Sequence, residues 1–233
     1  EGYFSTNIIP TLEHQQNVYT AKFVIEAGKP TLVSSVEIKF TGEISNQPMG
    51  AKPSVEKLRE AWQLKKDAQF RQDDWAQAKR KLLTNLLVDR YPNASISNSK
   101  AEVNPQTQTV ALSVEIDSGP AIRFGNTSIE GLKRYRPRVV ENLNPIKPGS
   151  IYNQSDLLTF QARLQESGYF QSVEVTADTI NTNNSAEPNI APIKVTVIEN
   201  RSIKMGVGAG YSTNTGPRLQ LSLDDLNLFD LDW

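Results

Sequence analysis

Cysteine is absent from all 233 residues. That excludes a disulfide framework and a cysteine nucleophile. Histidine occurs once, at His14, with no cysteine or carboxylate cluster beside it, so neither a metal site nor a catalytic triad can be assembled around it. A charge excess is missing too: 25 Lys and Arg stand against 26 Asp and Glu, and a chain of net charge −1 lacks the basic face that nucleic acid requires. No apolar run reaches the roughly 18 residues of a transmembrane helix, and no secretory leader is visible. A membrane β-strand would show itself differently, as alternation.

Two further motifs are incomplete. Gly206-x-Gly208-x-Gly210 lacks the Gly-Lys-Ser/Thr ending of a phosphate loop, and no helical pattern follows it. Asp224, Asp225, Asp230 and Asp232 lack EF-hand spacing and its closing glutamate, so they read as a solvated turn. Lys133, Arg134, Arg136 and Arg138 form a local basic cluster whose default reading is also a solvated face. No nucleophile, base and orienting group can be drawn from motif spacing. The expectation is a chain with no cofactor and no metal that is not an enzyme.

What is present is a repeat. Gly2-Tyr3-Phe4, Arg90-Tyr91-Pro92 and Gly168-Tyr169-Phe170 each form an aromatic corner, and two alternating segments and a break follow each one. The numbering opens inside such a module, so the chain is expected to be part of something longer. Four segments are expected: the end of a first module at 1–27, a second module at 28–118, a third at 119–200, and a different pattern at 201–233.

In the first segment, Phe4 to Pro10 and Val18 to Glu26 read as strands. In the second, Val33 to Phe40 reads as a strand. Ser54 suits an N-cap ahead of Val55, Leu58, Ala61, Trp62 and Leu64 at helical spacing. Asp73 or Asp74 opens another helix, with Trp75, Ala78, Leu82, Leu83 and Leu86 inward, and strands follow at 94–103 and 109–116. The third repeats the order: a strand at 122–130, a short helix from Pro137 to near Leu143, and a helix from Ser155 or Asp156 with Leu157, Leu158, Phe160 and Leu164 inward. Gly168 terminates that helix, and strand patterns carry Val173 and Val175, then Ile193, Val195 and Val197. Each full module is thus β-α-α-β-β, an α+β layer with two helices on one face of a three-stranded sheet.

Gly168-Tyr169-Phe170 followed by Val173-Glu174-Val175, and Phe124-Gly125 followed by Ile129-Glu130-Gly131, resemble the pattern of the POTRA (polypeptide-transport-associated) family over about residues 1–200. Arg90-Tyr91-Pro92 departs from the family's corner. Beyond residue 200, Ile203, Met205, Val207, Ala209 and Tyr211 alternate with Lys204, Gly206, Gly208, Gly210 and Ser212, and Leu219, Leu221 and Leu223 alternate with Arg218, Gln220 and Ser222. That is the dyad pattern of a membrane barrel strand. The stretch from Gly208 to Arg218 resembles the first barrel hairpin of the TamA family, in the superfamily that also holds BamA.

The resemblance implies tandem POTRA modules with a mixed three-stranded sheet, followed by the first strands of an outer-membrane β-barrel. It implies a place at the bacterial outer membrane with the modules in the periplasm. It implies a factor that helps insert or translocate β-barrel and autotransporter clients. Implied partners are those unfolded clients, a TamB-like protein that spans the periplasm, and outer-membrane lipid through the full barrel. A BamA-like insertase, a two-partner-secretion transporter and a stand-alone periplasmic scaffold remain alternatives. Strand edges that would hold clients or partners carry Ala94, Ile96 and Asn98 in one module and Ser172, Val173, Val175 and Thr176 in the other. The barrel seam would be Met205, Gly206, Val207, Gly208, Ala209, Gly210 and Tyr211, where alternating glycine pairs weakly and specifies register poorly.

Overall fold

The order of strands within each sheet is what positions every feature of functional interest. A computed structural model describes residues 2–15, 18–47, 53–180, 189–200, 203–213 and 216–225. The chain divides into two units, residues 1–121 and 122–233.

The first unit opens with a hairpin, β1 (Asn7–Gln15) and β2 (Val18–Glu26). It continues with β3 (Leu32–Thr41), α1 (Val55–Glu60), α2 (Gln72–Leu87), β4 (Ser95–Asn104) and β5 (Thr109–Asp117). β5 lies between the others, parallel to β3 and antiparallel to β4. The second unit holds β6 (Arg123–Glu130), α3 (Pro137–Leu143), α4 (Gln154–Glu166), β7 (Phe170–Ala177) and β8 (Ile190–Glu199), and β8 is again central, parallel to β6 and antiparallel to β7. A hairpin of β9 (Ile203–Ser212) and β10 (Gly216–Asp225) follows.

Each three-stranded sheet closes over its helices through one apolar face. On α2, Trp75, Ala78, Leu82 and Leu86 meet Val110, Leu112, Val114 and Ile116 of β5 in a single buried cluster. On α4, Leu157, Phe160 and Leu164 meet Ile193, Val195 and Val197 of β8. Leu158, expected inward, is 59% exposed on the outer face of α4. The cap of α4 is Asn153, whose side chain accepts from Ser155 N at 2.8 Å, so the helix begins at Gln154, one residue ahead of the Ser155 start read from the sequence.

Two other expectations are corrected. The first strand begins at Asn7 rather than Phe4, because its pairing with β2 sets its span, and Phe4 instead lies 6.1 Å from the Phe70 ring. The helix after Ser54 ends at Glu60. Trp62 and Leu64 are still buried, but from an irregular segment that turns back along the outer side of β3. There Val33 N donates to Ala68 O, Asp67 N to Val33 O, and Phe70 N to Thr31 O. The second unit repeats these bonds: Phe124 N to Ser150 O, Gly149 N to Phe124 O, and Tyr152 N to Ile122 O.

The repeat explains a set of unusual backbone angles. Asp67 (φ 66°), Arg90 (φ 66°) and Gln108 (φ 54°) occupy left-handed positions matched in the second unit by Gly149 (φ 83°), Gly168 (φ 78°) and Asn189 (φ 66°). The two corners share a left-handed residue but not their spacing: Gly168 directly follows the C-cap Ser167 and lies two residues before β7, whereas Arg90 lies two past the C-cap Val88 and five before β4. They also differ in which aromatic is buried. Tyr91 is fully buried, burial pushes its phenol pKa up, and its OH accepts from Gln47 Nε2. In the second unit Phe170 takes the core position at 5% exposure, and Tyr169 is half-buried against Tyr135, ring centroids 5.1 Å apart.

Replacing Arg90 by Gly should stabilise the first unit by about 1 kcal/mol, the ordinary cost of a non-glycine residue at positive φ. The substitution also removes a buried Nε that has no hydrogen-bond partner among the described residues. Urea unfolding checks this, and a midpoint at or below wild type contradicts it. At the other corner, Phe170→Ala should cost about 3–5 kcal/mol and Tyr169→Ala about half that or less; equal losses in thermal melts would contradict the assigned core.

Candidate strand-pairing edges

Because the last strand of each module takes the centre, β3 and β4 in the first unit, and β6 and β7 in the second, are left as edges. Edge strands carry backbone donors and acceptors available to another chain. Which residues point outward follows from parity. Ser118 N donates to Thr41 O, so alternate residues of β5 face β3, and Ala111, Ser113 and Glu115 face β4. Their partners Glu102, Lys100 and Asn98 are consumed in that ladder, leaving Ser99, Ala101 and Val103 pointing outward. By the same argument Asn200 N, on Tyr169 O, marks the β7-facing set of β8. Ser172, Glu174 and Thr176 pair with that set, and Val173, Val175 and Ala177 point outward.

This sorts the residues nominated from sequence. Val173 and Val175 offer outward backbone, but their side chains lie in the core at 5% and 7% exposure. Ser172 and Thr176 are exposed only on the open face of the sheet. Ile96 is half-buried ahead of a register shift, and Asn98 is exposed just after it. Ala94 precedes β4, is 7% exposed, and bonds back to Tyr91 O, so it belongs to the corner rather than to the edge. The outward Ser99, Ala101, Val103 and Ala177 were missed; no local signal reveals parity before the partner strand is known.

The edges are partly occupied by their own helices. Gln161 of α4 accepts the Val175 N–H at 3.4 Å, at the long end for a hydrogen bond. On the other edge Lys79 of α2 donates to Ser99 Oγ at 3.1 Å, its ammonium 4.8 Å from the Trp75 ring centre.

In the terminal hairpin, Ala209 faces Leu219 and Val207 faces Leu221, with Met205 and Tyr211 on the same face. Met205, Val207, Tyr211, Leu219 and Leu221 are 69–79% exposed. The opposite face pairs Gly206 with Ser222, Gly208 with Gln220 and Gly210 with Arg218. A Cβ on Gly206 would fall 2.5 Å from Ser222 Oγ, whereas one on Gly210 meets nothing within 4 Å. Side chains of His14 and of the acidic run at 224–232 lie outside the described residues. Among the described residues no group of three or more His, Asp or Glu could hold a metal, and no helix is long and apolar enough to cross a membrane.

The end of β8 is tied down by a carboxylate not singled out in the sequence. Glu199, at the end of β8, accepts from the backbone N of Lys133 (2.7 Å), Arg134 (2.8 Å) and Tyr135 (3.1 Å), and from Arg134 Nε (3.1 Å). Arg134 also donates to Asn200 O. Burial works against the charge, but these donors outweigh it and hold the carboxyl at about 2, below an ordinary glutamate at 4.5. The basic cluster is thus partly a structural clamp.

The POTRA family model, the surface antigen variable number repeat, matches residues 37–119 and 122–200. The chain belongs to the POTRA family. Its fold is similar to that of POTRA domains 3–5 of BamA from Haemophilus influenzae, with a TM-score of 0.52 at 20% identity over 85% of this chain and 74% of that one. It is also similar to BamA from Haemophilus ducreyi lacking POTRA domains 1–3, with a TM-score of 0.63 at 17% identity. That match covers 82% of this chain but 34% of the BamA chain, so this POTRA chain spans about a third of it.

Since the native pKa of Glu199 lies below its unfolded value, its contribution is complete above about pH 4.5 and disappears as pH falls toward 2. Glu199→Gln should therefore cost on the order of 2 kcal/mol at pH 7, allowing for solvent screening. The gap to wild type should close on acidification; a pH-independent gap in denaturation curves would show that the carboxylate charge is not what matters.

Proposed function

We propose that this chain is the POTRA region, with the first barrel hairpin, of a TamA-like outer-membrane factor that helps insert or translocate β-barrel and autotransporter clients. The observation that carries the reading is the pair of outward backbone rows on β4 and β7, in two POTRA modules followed by an alternating hairpin. Main-chain pairing tolerates many client sequences, as a general assembly factor requires. The role is non-enzymatic: burial of apolar strands in lipid and closure of backbone hydrogen bonds drive insertion. The exposed Met205, Val207, Tyr211, Leu219 and Leu221 face would turn to lipid, and the glycine-rich strand would border the seam that admits client strands. One hairpin cannot span a bilayer, since its edges would leave backbone groups unpaired there. The modules would lie in the periplasm, with a TamB-like protein as partner.

A photo-crosslinking residue at Asn98 and another at Thr176, both exposed beside an edge, should form adducts with an unfolded autotransporter β-domain. Ser99→Pro removes an outward N–H without touching the ladder, and should abolish the adduct at position 98 while sparing that at 176. Absence of adducts at both positions would sink the reading. Proline at Val175 is a poor probe, because it strips a core side chain and the Gln161 bond together.

A further inference from the structure

A third edge, that of β3, carries a groove. On β3, Val33 is sealed by the returning segment at 67–70, but that cover ends there. From Ser35 to Lys39 the strand borders an open groove of about 960 Å³, whose other wall is Arg59 and Glu60 of α1, then Trp62, Lys65 and Lys66. Arg59 Nη2 donates to Ile38 O at 3.1 Å, so Ile38 points its backbone into the groove, and parity places Val36 and Phe40 with it. Among the described residues, no other bond closes this stretch. Val36, Ile38 and Phe40 are half-buried and pack at the margin of the core, giving the groove an apolar floor beside an unfilled backbone row.

Its charge is lopsided. Glu37 and Lys39 neutralise one another at 3.3 Å on the sheet's outer face. On the opposite wall Arg59, Lys65 and Lys66 stand against Glu60, and both lysines are exposed with no ion pair among the described residues. The corresponding stretch of β6 is furnished differently: Asn144 Nδ2 reaches Thr127 Oγ1 at 3.1 Å, and Ile129 packs with Leu143 against the core.

We infer that the β3–α1 groove accepts an extended, acidic polypeptide segment as an added strand, its backbone pairing with Val36 and Ile38 and its carboxylates meeting Arg59, Lys65 and Lys66. The occupant is a protein segment of alternating apolar and acidic residues. This site is separate from the edges on which the proposed function rests and stands or falls without them.

The test is fluorescence anisotropy of the whole chain with labelled peptides of about 12 residues, alternating valine with glutamate or valine with lysine. The glutamate peptide should bind, and the lysine peptide at least about tenfold more weakly, with the difference shrinking near 0.5 M salt. Lys65→Glu with Lys66→Glu changes only exposed side chains and should weaken the glutamate peptide about tenfold or more. N-methylating the backbone of the glutamate peptide at alternate residues should abolish its binding, because it removes the donors an added strand needs, while Ser99→Pro in the protein leaves binding unchanged. Equal binding of both peptides, indifference to the lysine reversals, or loss in Ser99→Pro instead would overturn the assignment.

Discussion

The last strand of each POTRA module inserts between the first two, and most of what this molecule offers a partner follows from that. A central strand parallel to one neighbour and antiparallel to the other is paired on both sides, and it carries the most buried residues. The cost is two outer strands with backbone exposed along one side. The fold limits that liability locally rather than by burying it. A returning segment seals the start of β3 and of β6, Gln161 caps one N–H of β7, and Lys79 and Arg59 lean over β4 and β3. The side-chain covers are single hydrogen bonds, each worth about 1 kcal/mol, and an incoming strand can displace them by supplying several backbone bonds at once.

The two modules place left-handed residues at corresponding turns with different side chains. Turns that the second unit makes with Gly149 and Gly168 are made in the first with Asp67 and Arg90. Packing tolerates this because Tyr91 is buried deeply enough to hold the corner, whereas the glycine corner leaves Tyr169 at the margin and buries Phe170 instead. A motif read as a string of letters therefore marks the corner without saying which of its aromatics enters the core.

The hairpins at either end obey another logic. β1 and β2 pair only with each other among the described strands, and Tyr19, Phe23 and Ile25 share a face that stays exposed. β9 and β10 likewise keep an apolar face outward opposite a glycine and polar face. Alternation creates a two-faced ribbon, but a ribbon of two strands has no interior in which to hide the apolar side.

By itself the sequence determined the order β-α-α-β-β, the apolar stripes of α2 and α4, the glycine turns, and the dyad alternation after residue 200. All of these are written in local spacing, because side-chain periodicity of 3.6 or 2 is a property of the backbone itself. Tertiary structure decided that Leu158 faces out, that the helix after Ser54 stops at Glu60 while Trp62 remains core, and that Glu199 gathers three backbone donors from a loop more than sixty residues earlier. It also decided which edge residues turn their amides outward. Parity depends on the partner strand's register, and register is a long-range property that no window of sequence contains.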